Sequence, residues 1–257
     1  MEQAAYITPG GGGGSFNYHH CIYDHAVAIM ELENLGYKGK YITLSYSFEF
    51  IKEFYRLLLG PERIVEIACG QSIQVEELIV IGAVYFKPAD LHGSHIAFVR
   101  DRILPKIPNL VDEKYPKRLY VKRIGRRRIS NELRIIEILK RYGFEVMTPE
   151  EHSVAEQIRY FHNADFVITP HGANSTNAIF MRPGTKFLEL FSLTWGFRMM
   201  CNALAFMGVG FFELTEDFRW DMLDKKDIPF PRTESINRDF KINEFGLENM
   251  LLSILRL

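Results

Sequence analysis

From Arg118 to Leu214, short apolar runs alternate with stretches of helical periodicity, a pattern that few folds accommodate. Arg118 to Lys122 reads as a strand. Asn131 to Tyr142 reads as a helix, with Ile135, Ile138, Leu139 and Tyr142 on one face and Gly143 as its stop. Phe144 to Met147 is the next strand, and Ser153 with Glu156 forms a capping box opening a helix through Phe161. Phe166 to Thr169 is a strand, the turn at Pro170 and His171 leads into a short helix, and Phe187 to Phe191 is a strand. A helix to Phe206 and a strand at Gly210 to Leu214 follow. Alternation of this kind predicts a parallel sheet with helices on both faces.

The first half repeats the theme less regularly. Ile22, Ala26, Ile29 and Leu32 recur at helical spacing and stop at Gly36. Tyr41 to Leu44, Arg63 to Ile67 and Leu78 to Tyr85 read as strands, Phe48 to Leu59 and His95 to Leu104 as helices. Pro105, Pro108 and Pro116 then interrupt any periodicity, so the domain boundary falls there, giving domains 1–110 and 111–257. Leu247, Met250, Leu251 and Ile254 predict a C-terminal amphipathic helix. Gly10 to Gly14 followed by Ser15 reads equally as an inserted linker or as a natural flexible loop.

Composition narrows the partners. At 257 residues, 47% hydrophobic and 25% charged, the chain is of ordinary globular balance. A net charge of −1 gives no global field for nucleic acid or an anionic membrane. No apolar run approaches the roughly 18 residues that span a bilayer. The N-terminus lacks the pattern of a signal peptide. Cys21, Cys69 and Cys201 have no metal-ligand spacing, and their sparse, odd number fits a reducing compartment. The expectation is a cytoplasmic protein with no metal site and no transmembrane segment.

Open parallel sheets bind ligands at the carboxyl ends of their strands, so chemistry is sought after Lys122, Met147, Thr169 and Phe191. In the turn Thr169 to Asn177, Gly172 and Ala173 let a ligand approach the backbone beside His171. The helix start offers N–H groups and a positive dipole to a phosphate, with Ser175, Thr176 and Asn177 as further polar partners. Plain helix capping explains the same residues equally well. The basic run Lys122 to Arg128 is either a solvated loop or a diphosphate clamp. Its place at the same sheet edge favours the clamp, with Arg123 foremost and Arg127 and Arg128 beside it. Glu156 is accounted for by its cap; Gln157 is not. Glu189, between Leu188 and Leu190, is a carboxylate that needs a partner, for which a ribose is one candidate. In the first half, His20 and Asp24 share a helical face and could form an oriented base. A cap at Asn17 with a structural histidine is the alternative, and His25 lies off that face. No Asp-x-Asp motif argues for a metal-bound diphosphate. No G-x-G-x-x-G follows a strand, which sets aside a dinucleotide enzyme.

Taken in order, these positions resemble glycosyltransferase family 61, which includes plant xylosyl- and arabinosyltransferases and animal O-linked GlcNAc transferases. The resemblance runs through Asn17, His20 and Asp24, then Arg123, Arg127, Arg128 and Asn131-Glu132. It continues through Gly143-Phe144, Pro149-Glu150, Ser153, Glu156-Gln157-Ile158, Ala164-Asp165, Pro170 to Ala173, Thr176-Asn177, Phe180 and Glu189. It is dense from Leu119 to Leu190 and thinner before.

The resemblance implies a GT-B architecture, two Rossmann-like domains facing a cleft, with the C-terminal helix able to return to the first domain. Residues 1–110 would form the acceptor side and 111–257 the UDP-sugar side. It further implies inverting transfer to a hydroxyl of a glycan acceptor, with xylose favoured as the sugar and GlcNAc next. No cofactor is obligatory, and a divalent cation could stimulate. Asp24, with His20 second, would be the base, and Arg123, Arg127 or Arg128 and the helix start after His171 would stabilise the leaving diphosphate. Members often carry leucine where Asn174-Ser175 stands and an aromatic where Cys21 stands. Secretory members carry an anchor not found here, which points to a microbial or viral, cytoplasmic member. A non-catalytic nucleotide-sugar-binding module is the alternative.

Overall fold

The computed structural model describes residues 2–7, 17–44, 48–81, 93–192, 200–216 and 238–256. Gly10 to Gly14 and Ser15 lie outside these, as do residues 82–85 of the expected Leu78 to Tyr85 strand and the stretch 193–199 ahead of Phe206. The chain divides into two compact units, Met1–Leu110 with Ser153–Ala155, and Val111–His152 with Glu156–Leu257.

The first unit begins with a strand that periodicity passes over. β1 (Gln3–Ile7) is followed by α1 (Tyr18–His20), a π-helical turn Cys21–His25, α2 (Ala26–Asn34) and β2 (Lys40–Leu44). Then come α3 (Glu49–Leu59), β3 (Ile64–Ile67), β4 (Glu77–Ile81) and α4 (Gly93–Ile103). All pairings are parallel, in the order β3-β2-β1-β4. β1 is internal, with Ala5 opposite both Tyr41 and Ile79. Its alanines carry little strand propensity, so pairing on both sides defines it rather than local preference. α3 buries Ile51, Phe54, Tyr55, Leu58 and Leu59 on one stripe and ends at Gly60, whose φ of 89° is the left-handed conformation glycine tolerates.

The second unit contains β5 (Arg118–Val121), α5 (Glu132–Arg141), β6 (Glu145–Met147), all but the first two residues of α6 (Val154–Asn163) and β7 (Phe166–Pro170). A 3₁₀ helix Ala173–Phe180, β8 (Lys186–Phe191), α7 (Cys201–Phe206), β9 (Gly210–Thr215) and α8 (Glu244–Arg256) follow. The sheet is again all-parallel, ordered β6-β5-β7-β8-β9. All five residues of β7 are buried, as expected of a central strand covered on both faces. The units are therefore mixed α/β with parallel, Rossmann-like sheets. The order reverses between β5 and β7, and the connections leaving a reversal point diverge to open a ligand crevice at the strands' carboxyl ends.

The C-terminal helix α8 belongs to the second unit. Leu247, Leu251 and Ile254 join Ile135, Ile138 and Leu139 of α5 in the core of the second unit. Lys186 Nζ donates to Ile254 O at 2.7 Å, and Arg141 pairs with Glu248 at 2.7 Å. The apolar stripe read from the sequence finds the stripe of α5, and burial of both faces decides the packing. Leu251→Ala should therefore lower the unfolding free energy by about 2–4 kcal/mol in urea titration; a loss under about 0.5 kcal/mol would contradict this packing.

Candidate functional site

The site at the sheet reversal is built on Arg123, which follows β5. Its Nε donates to Arg126 O at 2.6 Å and its Nη1 to His171 O at 3.2 Å. Among the described residues, no carboxylate lies within ion-pair distance of it. Burial lowers the guanidinium to about 10, the charge of Arg127 pushes the same way, and Glu150 opposes. A guanidinium half-buried against two carbonyl oxygens keeps its positive charge. The guanidinium lies where a side chain on Gly172 would be: a Cβ there would stand 1.4 Å from Nη1. Gly172 is in extended backbone that any residue adopts, so a side chain there would meet the Arg123 guanidinium, which would have to move.

The turn after β7 is fixed from beneath by a carboxylate. Glu189 on β8 has 0% exposure, and its Oε1 accepts from His171 Nδ1 at 2.7 Å and from Ser175 Oγ at 2.6 Å. Its Oε2 is buried with no hydrogen-bond partner among the described residues. The His171 ring stacks on Phe191, with centroids 4.8 Å apart and planes at 22°. Because an ionised carboxylate only accepts, Nδ1 carries the proton in this pairing. Burial lowers the Arg127 guanidinium, and the charge of Glu189 opposes that shift. Arg123 thus meets the His171 peptide and Gly172, with the charge of Arg127 acting on it.

The remaining residues of the expected clamp face elsewhere. Ser175, Thr176 and Asn177 are buried, and Ala173 opens a 3₁₀ rather than an α-helix. Asn177 Nδ2 donates to Gln157 Oε1 at 2.9 Å, while Gln157 Nε2 donates to Pro149 O at 2.9 Å and to His152 O at 3.2 Å. Gln157 and Asn177 brace α6 against the turn from inside the protein. Glu189, too deep to touch a ribose in this conformation, supports His171 and Ser175. Arg128 is turned to Asp239, donating through Nη2 at 2.9 Å and Nε at 3.2 Å. Asp239 could not have been matched with Arg128 from sequence alone, since no periodicity links positions 111 residues apart.

In the first unit, Asn17 caps the helix by accepting from His19 N at 3.0 Å. His20 Nδ1 meets Asp24 Oδ2 at 2.6 Å, so the predicted pair forms, and both side chains are part-exposed. A π-helical turn carries Asp24, a feature that often marks functional positions. His25, which the sequence set aside, is buried with Nδ1 hydrogen-bonded to Tyr55 Oη. Burial lowers the imidazole to about 4, against the pull of Asp24. Burial also pushes the Cys21 thiol up to about 12. Among the described residues there is no cluster of three or more His, Cys, Asp or Glu placed to hold a metal. No described helix is long and apolar enough to cross a membrane.

A mixed α/β protein with parallel, Rossmann-like sheets is the class this fold defines. Within it the chain belongs to the family Glycosyltransferase 61, whose family model matches residues 18–188. A similar protein is Xylan glycosyltransferase MUCI21 of Arabidopsis thaliana, 32% identical over 83 residues. That match covers 31% of this chain and 17% of the Arabidopsis protein, a minor part of its length.

Two outcomes follow from the geometry. Gly172→Ala must displace the Arg123 guanidinium, so the variant should fold but bind a nucleoside diphosphate at least about tenfold more weakly. Equal affinity by calorimetry would show that Arg123 is not the anion contact. The folded His25 titrates near 4 and an unfolded histidine near about 6.5, so the unfolded chain takes up the proton first. Stability is then full above that range and falls as pH drops towards 4, by up to about 1.4 kcal/mol per unit. His25→Gln should flatten this slope in urea titrations; identical slopes would assign it to other groups.

Proposed function

We propose that this chain is an inverting glycosyltransferase that moves a sugar from a UDP-sugar to a hydroxyl of a glycan acceptor. The observation that carries the reading is Arg123: a half-buried cation at the reversal point of the second sheet, resting on carbonyl oxygens. A charge so placed suits an anion whose negative charge grows as a bond breaks, which is what a departing diphosphate provides. Arg127, His171, Gly172, Ala173 and the start of the 3₁₀ helix complete the donor side. Ser175, Thr176, Asn177, Gln157 and Glu189 support it from within.

In the proposed step the acceptor oxygen attacks the anomeric carbon as the bond from that carbon to the diphosphate breaks. The electron pair leaves with UDP, and the hydroxyl proton passes to the Asp24 carboxylate, which His20 orients. No metal is required in this scheme; Arg123 and Arg127 carry the electrostatic role. Xylose is the favoured sugar and GlcNAc the next, and the name of the Arabidopsis relative suggests a xylan-like acceptor.

The test pairs binding with turnover, using UDP-xylose, UDP-GlcNAc and xylan oligosaccharides. Arg123→Ala should weaken UDP about 10- to 100-fold, the worth of a charge-assisted hydrogen bond. Asp24→Asn should bind UDP normally and turn over about 10²- to 10⁴-fold more slowly. Loss of UDP binding in Asp24→Asn would remove the base assignment. UDP binding by the wild type, with neither transfer nor donor hydrolysis, would leave a non-catalytic nucleotide-sugar-binding module.

A further inference from the structure

We propose that Asp239 is a positioning residue for the donor site, holding the loop 122–131 in the shape that aims Arg123 and Arg127 at the diphosphate. The proposal rests on the donor reading above and adds a residue that neither family resemblance nor local sequence points to.

Residues 238–243 run beside the arginine loop and grip it repeatedly. Arg128 N donates to Asp239 Oδ1 at 2.9 Å, while the Arg128 guanidinium donates to Oδ2 at 2.9 and 3.2 Å. Phe240 N donates to Arg128 O at 3.0 Å, and Ser130 N to Phe240 O at 2.7 Å, forming a parallel bridge between Ile129 and Phe240. Asn131 closes the far end, its Nδ2 donating to Ile242 O at 2.9 Å and its Oδ1 accepting from Ile242 N at 3.2 Å. Arg128 is therefore held at its N–H, its carbonyl and its side chain.

The residue just before it is Arg127, with φ of 63°. A non-glycine residue takes that left-handed conformation only where its surroundings dictate it. One residue earlier, Arg126 O accepts from Arg123 Nε at 2.6 Å. Asp239 is thus the side-chain member of the clamp that holds the turn on which both site arginines depend, beside the backbone bonds of Phe240. Asp239 itself is held below the usual carboxylate range, first by the Arg128 N–H. Phe240 and Ile242 are anchored in the core of the second unit, so the segment keeps its place when Asp239 is altered.

Charge and geometry make opposite predictions here. Asp239 is a negative charge beside a basic loop, and its removal should by Coulomb's law alone strengthen anion binding. If Asp239 positions the loop, removal weakens it. The pair is 57% and 37% exposed, so its loss costs little stability and the variants should fold. The experiment is calorimetric titration of UDP, with uridine as control, into wild type, Asp239→Ala, Asp239→Asn, Arg128→Gln and the double variant Arg128→Gln/Asp239→Ala. Asp239→Ala should bind UDP about three- to tenfold more weakly, with uridine unchanged. Asp239→Asn keeps an acceptor for the Arg128 N–H and should recover to within about twofold of wild type. The double variant should be no weaker than Asp239→Ala, because both changes break one clamp. Asp239→Ala binding UDP as tightly as wild type, or more tightly, overturns the positioning role while leaving the donor reading intact. A wild type that takes no UDP removes the donor reading and this inference with it.

Discussion

The second unit's site is organised around a half-buried guanidinium that, among the described residues, rests on carbonyl oxygens and has no carboxylate within ion-pair distance. Arg123 rests on the carbonyls of Arg126 and His171, and it occupies the volume that any side chain at position 172 would need. The local carboxylate, Glu189, is committed through Oε1 to His171 and Ser175. Arginine does not shed its charge near neutral pH, so a positive charge stands where the strand order of the sheet reverses. Gly172 and the His171 carbonyl both stand against that one group.

Its supports come from distant parts of the chain. The carbonyl under Nη1 belongs to the turn after β7, the carboxylate beneath that turn to β8, and the clamp on the loop to Asp239. Local hydrogen bonds could not hold such a loop, since Arg127 is in a conformation that only its surroundings make favourable. α8 contributes indirectly: its apolar stripe shares one core with Phe240 and Ile242, which place Asp239 beside the loop. Packing energy in that core is thereby converted into the position of two charges.

The regular elements of the second unit were legible because burial imposes a period. Ile135, Ile138 and Leu139 announced α5, and the apolar runs around Ile168 and Leu188 announced the central strands. β1 was not legible, since alanine is neutral between states and two neighbouring strands fix what propensity leaves open. At the site, chemistry was readable and pairing was not. A carboxylate between Leu188 and Leu190 plainly needed a partner, yet nothing in the spacing named His171 and Ser175. Arg123 stood out in the basic run as the residue that ends the strand, but Arg127 and Arg128 looked equivalent. Their separation into one site arginine and one held by Asp239 comes from a residue far along the chain.

The central claim is that the crevice beside Arg123 is selective for a diphosphate. The most direct measurement compares wild-type affinity for UDP and for uridine at low and high salt, in EDTA. The account predicts UDP tighter than uridine by at least about tenfold, with the gap narrowing as salt screens the crevice and surviving EDTA. Equal affinities for the two ligands, unchanged by salt, would contradict it.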